Sequence, residues 1–508
     1  MLERQKDIAR AYVVVLVSAL LAIATGDAAD QPQWGQRYSR NMVSDETGLP
    51  DTFDPATGKN IKWSVPLGTQ TYSTPVIANG KVLVGTNNDD PRDPRNKGDR
   101  GVLMCFNEKD GSFCWQLAVP KLTKSPYWDW PHNGMVSAAT VESNRVYMVS
   151  NRGEVMCLDL DGMANGNDGP YVDEARHVVP SDAPPIEPGP SDGDIIWLFD
   201  MPKELGVRQH DAGHCSILVG RQYLYVCTAN GVDDPHTGIE CPDAPSLVVF
   251  EKTTGRLVAM DNERIGPRIP HGTWAPPSLG KVNGRSLVFF GGGDGVAYAF
   301  EAVETSPPKG QVDKLKRVWR FDCDPTGPKE KVQRYLHNKR EGPSTIAGMP
   351  VFYQNRIYVA AGGDFWVGKA RSWLKCIDAT QTGDITSSGE VWSYPMRSQC
   401  LSTPSICNGL VFIAETGRKI HCLDANTGHE YWTHEVEGEI WGSTLVADGK
   451  VYAGTRRGDF WILAADKEKR VISTVQFDDQ FSNSPAAANG VLYIAAMTRL
   501  YAIQADAR

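Results

Sequence analysis

The sequence predicts an all-β fold, an eight-bladed β-propeller of four-stranded antiparallel blades closed by an N-terminal strand that completes the last blade. Three observations predict it. One phrase recurs eight times, most clearly in LSTPSICNGLVFIAETGRKIHCLDANTGHEYW from Leu401 to Trp432: an apolar stretch led by Ser and Pro, an Asn-Gly turn, two alternating strands, a Thr-Gly turn and a strand holding Trp. Apolar alternation broken by such turns is the pattern of an antiparallel meander. The last copy ends at LYAIQADAR without a fourth strand, whereas NIKWSVPL, with Trp63, precedes the first copy as a fourth strand that has no blade. A chain that begins with the strand its last sheet lacks closes into a ring, and closure hides edge strands that would otherwise template aggregation.

The first strands begin near Tyr72, Met135, Ala212, Thr273, Thr345, Leu401, Trp441 and Phe481. Fourth strands carry Trp115, Trp197, Trp319, Trp392 and Trp432, with Ala259 and Thr474 in that place in two degenerate copies. Each copy takes about 56 residues, against roughly 40 to 50 in compact propeller repeats, so the surplus lies in loops. Neighbouring blades bury each other's faces, which makes residues 60–508 one domain behind an extension at 30–59.

Residues 1–29 read differently. Arg4, Lys6 and Arg10 precede AYVVVLVSALLAIAT, and Ala22-Ile23-Ala24 offers small residues for cleavage, the layout of a secretory signal peptide. The apolar run is shorter than the roughly 20 residues that span a bilayer, and no Cys follows it to take a lipid. The expectation is a periplasmic or secreted protein whose mature chain has no transmembrane domain. A net charge of −9 argues against a nucleic-acid binder, whose footprint is basic.

Eleven cysteines in an exported chain invite a disulfide reading. The repeat register points elsewhere, because Cys105, Cys157, Cys376 and Cys422 share the third-strand place that other copies fill with Val249, Ala299, Leu463 and Ala502. That place wants a small buried apolar group, which a free thiol supplies. Of the cysteines in long connections, Cys241 and Cys323 are placed so that a bridge would join the loops of blades three and four.

Function is expected on one face. Second-to-third loops at 87–100, 230–245 and 362–373, and interblade connections at 120–134, 203–214, 262–274 and 322–345, all emerge there and hold most of the His and many of the Arg and Trp. Long decorated loops on a rigid scaffold are where binding concentrates. The other face has tight turns and one Pro-rich excursion at 161–194.

Superposing the copies on their second strands places His132, His210 and His271 at the mouth of the channel in blades two to four, with Arg340, Arg397, Glu437 and Asp478 at or near the matching places of blades five to eight. Imidazoles facing carboxylates across a funnel suit a metal, an anionic ligand or a proton-transfer base such as Asp211; equally, residues at a wet funnel mouth are simply solvated. His214, four residues after His210, is weaker as a metal partner on extended chain than it would be on a helix. Trp128, Trp130, Trp274 and Trp366 suit stacking on a planar ligand or packing between blades.

CLDANTGHEYW, CFNEKDGSFCW and AETGRKIHCLD resemble the PQQ-like repeat, the propeller unit of quinoprotein dehydrogenases and of the BamB family, over roughly residues 33 to 504. The resemblance implies one of two functions. One is a non-catalytic binding or scaffold protein of the cell envelope, presenting the decorated face to an envelope protein or a small-molecule ligand. The other is an alcohol or sugar dehydrogenase with pyrroloquinoline quinone (PQQ) over the funnel and Ca²⁺ beside it, in which Asp211 would be the base, Arg340 the quinone-oxygen partner and Trp274 the stacking platform. Alcohol-oxidising members carry adjacent cysteines against the quinone, and this chain has no Cys-Cys pair. The binding reading is therefore the one the sequence favours, since a fold alone does not specify a reaction.

Overall fold

The computed structural model describes residues 29–122 and 125–507. The signal peptide expected at 1–29 lies, except for its last residue, outside them. The described residues form eight sheets, each with a core of strands in sequence order apart from the one that closes the ring. Their innermost strands are Val76–Ala78, Thr140–Glu142, Leu218–Val219, Ser278–Val282, Val351–Tyr353, Ser405–Cys407, Leu445–Ala447 and Ala486–Ala488. The ring closes as expected: Ile61–Pro66 pairs antiparallel with Arg499–Ile503, and Trp63 lies opposite Ala502.

The Trp of each fourth strand faces the small third-strand residue across the ladder, Trp115 opposite Cys105, Trp197 opposite Cys157, Trp319 opposite Ala299, Trp392 opposite Cys376 and Trp432 opposite Cys422. A bulge follows each of these pairs and turns the indole toward the next blade, where its Nε1 donates to a backbone carbonyl, as Trp115 does to Leu160 and Trp432 to Asp466. Blade seven departs from the register read above. Its ladder pairs Tyr452 with Ile462 and Ile462 with Ser473, so these residues hold the places assigned to Leu463 and Thr474. A slip of one residue exchanges the two faces of a strand, and without a Trp to mark the bulge only the ladder sets the count.

Two blades gain a fifth strand. Asp313–Lys314 adds parallel to Leu257–Met260, covering the outer strand that lacks Trp at Ala259, and Gly383–Asp384 adds parallel to Arg317–Asp322. All eleven cysteines are free thiols, so the Cys241–Cys323 bridge does not form. Cys323 is fully buried in the core with Trp319 and Phe321, and packing holds those loops without it.

The segment before the first strand is a strap across the channel. Its backbone and side chains bond to the innermost strand, or the turn or approach next to it, of every blade: Gln31 to Ile77, Pro32 to Val141, Arg40 to Ser216, Tyr38 to Leu279, Ser39 to Phe352, Asn41 to Ile406, Ser44 to Val446 and Glu46 to Gly490. Innermost strands of a propeller leave one edge of backbone groups without a ladder partner, and the strap satisfies part of that edge. No helix of the described residues is long and apolar enough to cross a membrane.

Candidate functional site

A cavity of about 560 Å³ opens at the decorated end of the channel. Five of the long connections line it: Tyr127, Trp130 and Asn133 from 120–134, His210, Asp211 and His214 from 203–214, His236 from 230–245, His271 and Trp274 from 262–274, and Phe365 and Trp366 from 362–373. Trp34, on the strap, joins the lining and donates its indole N–H to Ser484 Oγ at 3.2 Å. Phe365, Trp366 and Trp441 pack edge to face with ring centroids 4.3 to 5.2 Å apart. Such edge-to-face contacts fix aromatic walls in place.

Three imidazoles meet on one side of the cavity. The ring centroids of His210 and His271 are 4.5 Å apart, His210 and His236 4.9 Å, and His236 and His271 5.4 Å. His210 and His271 are buried and His236 half-buried. Each Nδ1 is engaged: that of His210 donates to the Val232 carbonyl at 3.2 Å, that of His236 to the Asp234 carbonyl at 3.0 Å, and that of His271 to the Asp364 carboxylate at 3.2 Å. His210 Nε2 has no hydrogen-bond partner and lies 3.6 Å from Asp211 Oδ1. Tyr127 stacks on His210 with an interplanar angle of 17° and meets His236 edge-on.

Local backbone holds this arrangement. Asp211 sits at φ 66°, where a residue with a side chain is strained, and is kept there by its N–H donating to Tyr127 O at 2.7 Å and its carbonyl accepting from Trp130 N–H at 2.6 Å. Gly231 leaves room for His210, since a Cβ there would come within 2.6 Å of the His210 Cβ. Asp364, in the second-to-third loop of blade five, is buried and accepts the backbone N–H groups of Trp366 and Val367.

Burial dominates the protonation of the site. It pushes His210 down to about 2, with His271 and His236 adding to the effect, and His214 down to about 4, so both are neutral imidazoles. Burial also pushes the Asp211 carboxyl up to about 6 while His271 pulls it the other way. For His271, burial is outweighed by the Asp364 carboxylate, and its affinity for a proton rises.

Of the residues named from the sequence, His210, Asp211, His214, His271 and Trp274 line the cavity together, with Trp130 and Trp366. His132 does not join the other two imidazoles. It is half-exposed and bonds through Nδ1 to Asp89 at 2.7 Å, because at φ 61° the chain turns it toward the 87–100 loop. Arg340, Arg397, Glu437 and Asp478 are exposed and do not line the cavity; Glu437 lies 3.9 Å from Arg457, and Arg397 borders a separate groove with Glu415 and His421. The longer connections of blades two to five supply most of the lining, while blades six to eight reach it through Leu401, Trp441 and Ser482 and not through these four residues. Sequence reasoning missed His236, Asp364 and Trp34. The first two lie in loops already marked as decorated, and a search for His and Asp across those loops would have found them.

The family model described as outer membrane protein assembly factor BamB matches residues 40–162 and 370–471. The first stretch runs from the strap through blade one to the third strand of blade two, and the second from the third strand of blade five through blade six to the third strand of blade seven. The matched parts of this eight-bladed β-propeller resemble the repeats of that family. Among solved structures the propeller is similar to a europium-containing methanol dehydrogenase, with 10% identity, 94% of this chain and 98% of that one covered and a TM-score of 0.58. It is also similar to the quinohemoprotein alcohol dehydrogenase ADHIIG from Pseudomonas putida HK5, with 11% identity, 94% and 81% covered and a TM-score of 0.55. BamB from Moraxella catarrhalis aligns at 12% identity over 88% of this chain and 97% of its own, with a TM-score of 0.50. No curated protein matches the chain significantly. At such identities the likeness is one of fold.

Proposed function

We propose that this propeller is an extracytoplasmic binding protein of the cell envelope that takes a small planar ligand into the cavity of its decorated face. The observation that carries the reading is the cavity itself: about 560 Å³, walled by Tyr127, Trp130, Trp274 and Trp366, with Trp34 and a few convergent polar groups. Mostly apolar concave sites of this size with few polar anchors are the usual form of a small-molecule site. The envelope location is supported by the secretory layout of the N-terminal sequence and by the BamB description of the matching family.

The quinoprotein alternative asks for a different donor set. Ca²⁺ takes six to eight oxygen ligands. Here the convergent donors are imidazole nitrogens, with Asp211 the one carboxylate in the lining. PQQ is a polyanion, and among the described residues no Lys or Arg lines the cavity. The residues of the cavity do not fit that pair.

Calorimetric titration of the processed chain separates the readings. The binding reading expects saturable 1:1 binding of a planar probe, 2-naphthol, weakened at least tenfold by Trp366→Ala, and no dye reduction with alcohols or sugars in the presence of PQQ and Ca²⁺. Absence of saturable probe binding overturns it. Substrate-dependent dye reduction with PQQ and Ca²⁺ would establish the dehydrogenase instead.

A further inference from the structure

We propose that His210, His236 and His271 form a site for a divalent first-row transition metal ion of the Zn²⁺ class, with a coordination position open to the cavity. The inference concerns a metal and stands independently of the planar ligand proposed above. One ligand atom from each of the three residues lies within 4.8 Å of those of the other two. Since each Nδ1 is already donating, to Val232, Asp234 and Asp364, the lone pair that each ring offers in its neutral form is that of Nε2. Metal-bound histidines use this arrangement: the outer nitrogen is tied to a carbonyl or carboxylate, which sets the tautomer and aims the inner one. The buried Asp364 carboxylate behind His271 is such a partner.

A second observation is independent of the clustering. His210 Nε2 is buried without a hydrogen-bond partner, which costs free energy that a bound cation would recover. The chemistry of the donors selects the ion. Imidazole suits Zn²⁺, Cu²⁺, Fe²⁺ and Ni²⁺ and not the hard oxygen-seeking Ca²⁺. Three protein nitrogens leave a tetrahedral ion one free position. Asp211 Oδ1, 3.6 Å from His210 Nε2, stands where it can accept a hydrogen bond from a water or ligand atom in that position. Zn–N bonds of about 2.0–2.1 Å set tetrahedral ligand atoms roughly 3.3 Å apart. The trio therefore has to close on the ion, and His236 is the least buried of the three rings.

The other group of candidate ligands, Asp89, Asp99 and His132, is largely exposed and Asp89 already pairs with His132, so it carries no comparable argument.

The test is titration of chelator-treated protein with Zn²⁺ by calorimetry and with Co²⁺ by visible absorption, alongside thermal unfolding with and without Zn²⁺. The expected result is 1:1 binding, Co²⁺ bands of tetrahedral intensity and a rise of Tm with Zn²⁺. His236→Ala and His271→Ala should each weaken binding at least 100-fold, Asp364→Asn by 10- to 100-fold, and exposed His429→Ala should leave it unchanged. His236→Ala changes a half-buried loop residue, so its metal-free Tm should equal that of the parent chain and its loss of binding reports the site. Binding that survives His236→Ala and His271→Ala, or that is lost instead with Asp89→Ala, overturns the proposal, as does the absence of 1:1 binding.

Discussion

Arg40 donates from Nη2 to the Ser216 carbonyl at 2.8 Å and so joins the N-terminal strap to the approach of blade three's innermost strand. The same guanidinium donates to Pro277 O at 3.1 Å and to Trp34 O at 3.0 Å, which ties blade four and the cavity's Trp34 to one side chain. Arg40 is fully buried with three carbonyls and the Ser216 hydroxyl as its partners, and burial lowers its guanidinium to about 10.

Arg40→Met should therefore cost more than an ordinary surface change. Buried carbonyls left without donors cost about 1–3 kcal/mol each, and a net loss of about 2–4 kcal/mol in urea unfolding is expected. Because Trp34 hangs on the same group, binding of a planar probe should weaken in parallel. An unchanged denaturation midpoint would show that the strap is not held through this residue.

Cys114 should be the first thiol to react. It is half-buried, while eight of the other cysteines are buried outright. A hydrogen bond from Cys105 outweighs burial, and together with Lys81, 3.6 Å away, brings the Cys114 thiol down to about 6. The thiolate is the reactive form. Iodoacetamide labelling followed by mass spectrometry should find Cys114 modified first, at a rate that rises through pH 6 and levels above pH 7. A rate still climbing through pH 8 to 9 would contradict this.

Asp194 should make stability fall as pH rises. Burial pushes its carboxyl up to about 6, against the backbone N–H of Asp168 and with the aid of Glu174 and Asp159. A carboxyl whose folded value lies above its unfolded one contributes stability that is complete below the unfolded value near 4 and lost as pH rises through the folded value near 6. Asp194→Asn should flatten the dependence of Tm on pH between 4 and 7 and exceed the parent chain in Tm above pH 6. A parallel shift at every pH would show that Asp194 does not titrate in this window.

Much of this was legible in the chain. Turn chemistry and apolar alternation are local, so eight meanders, their order and the closing strand at Trp63 could be counted from residues alone. The Trp–small pairing was legible wherever a Trp marked the bulge and was lost by one residue in blade seven, where Ser473 stands in its place. Of the site, the interblade positions His210, Asp211 and His271 were visible because the repeat gives each blade a common origin. His132 occupies the equivalent place in sequence and yet turns to Asp89.

The sequence by itself determined the architecture, because each blade is a short-range pattern repeated and ring closure follows from the count. Tertiary structure alone decided what fills the ends of the channel. The strap at residues 29–49 has no repeat to announce it and takes its path from carbonyls and N–H groups left at the inner edges of eight separate blades. His236 joins His210 and His271, and Asp364 backs His271, only because loops of blades three and five fold inward over the mouth from positions far apart in the chain. Such meetings are set by loop path and packing, which leave no periodicity to read.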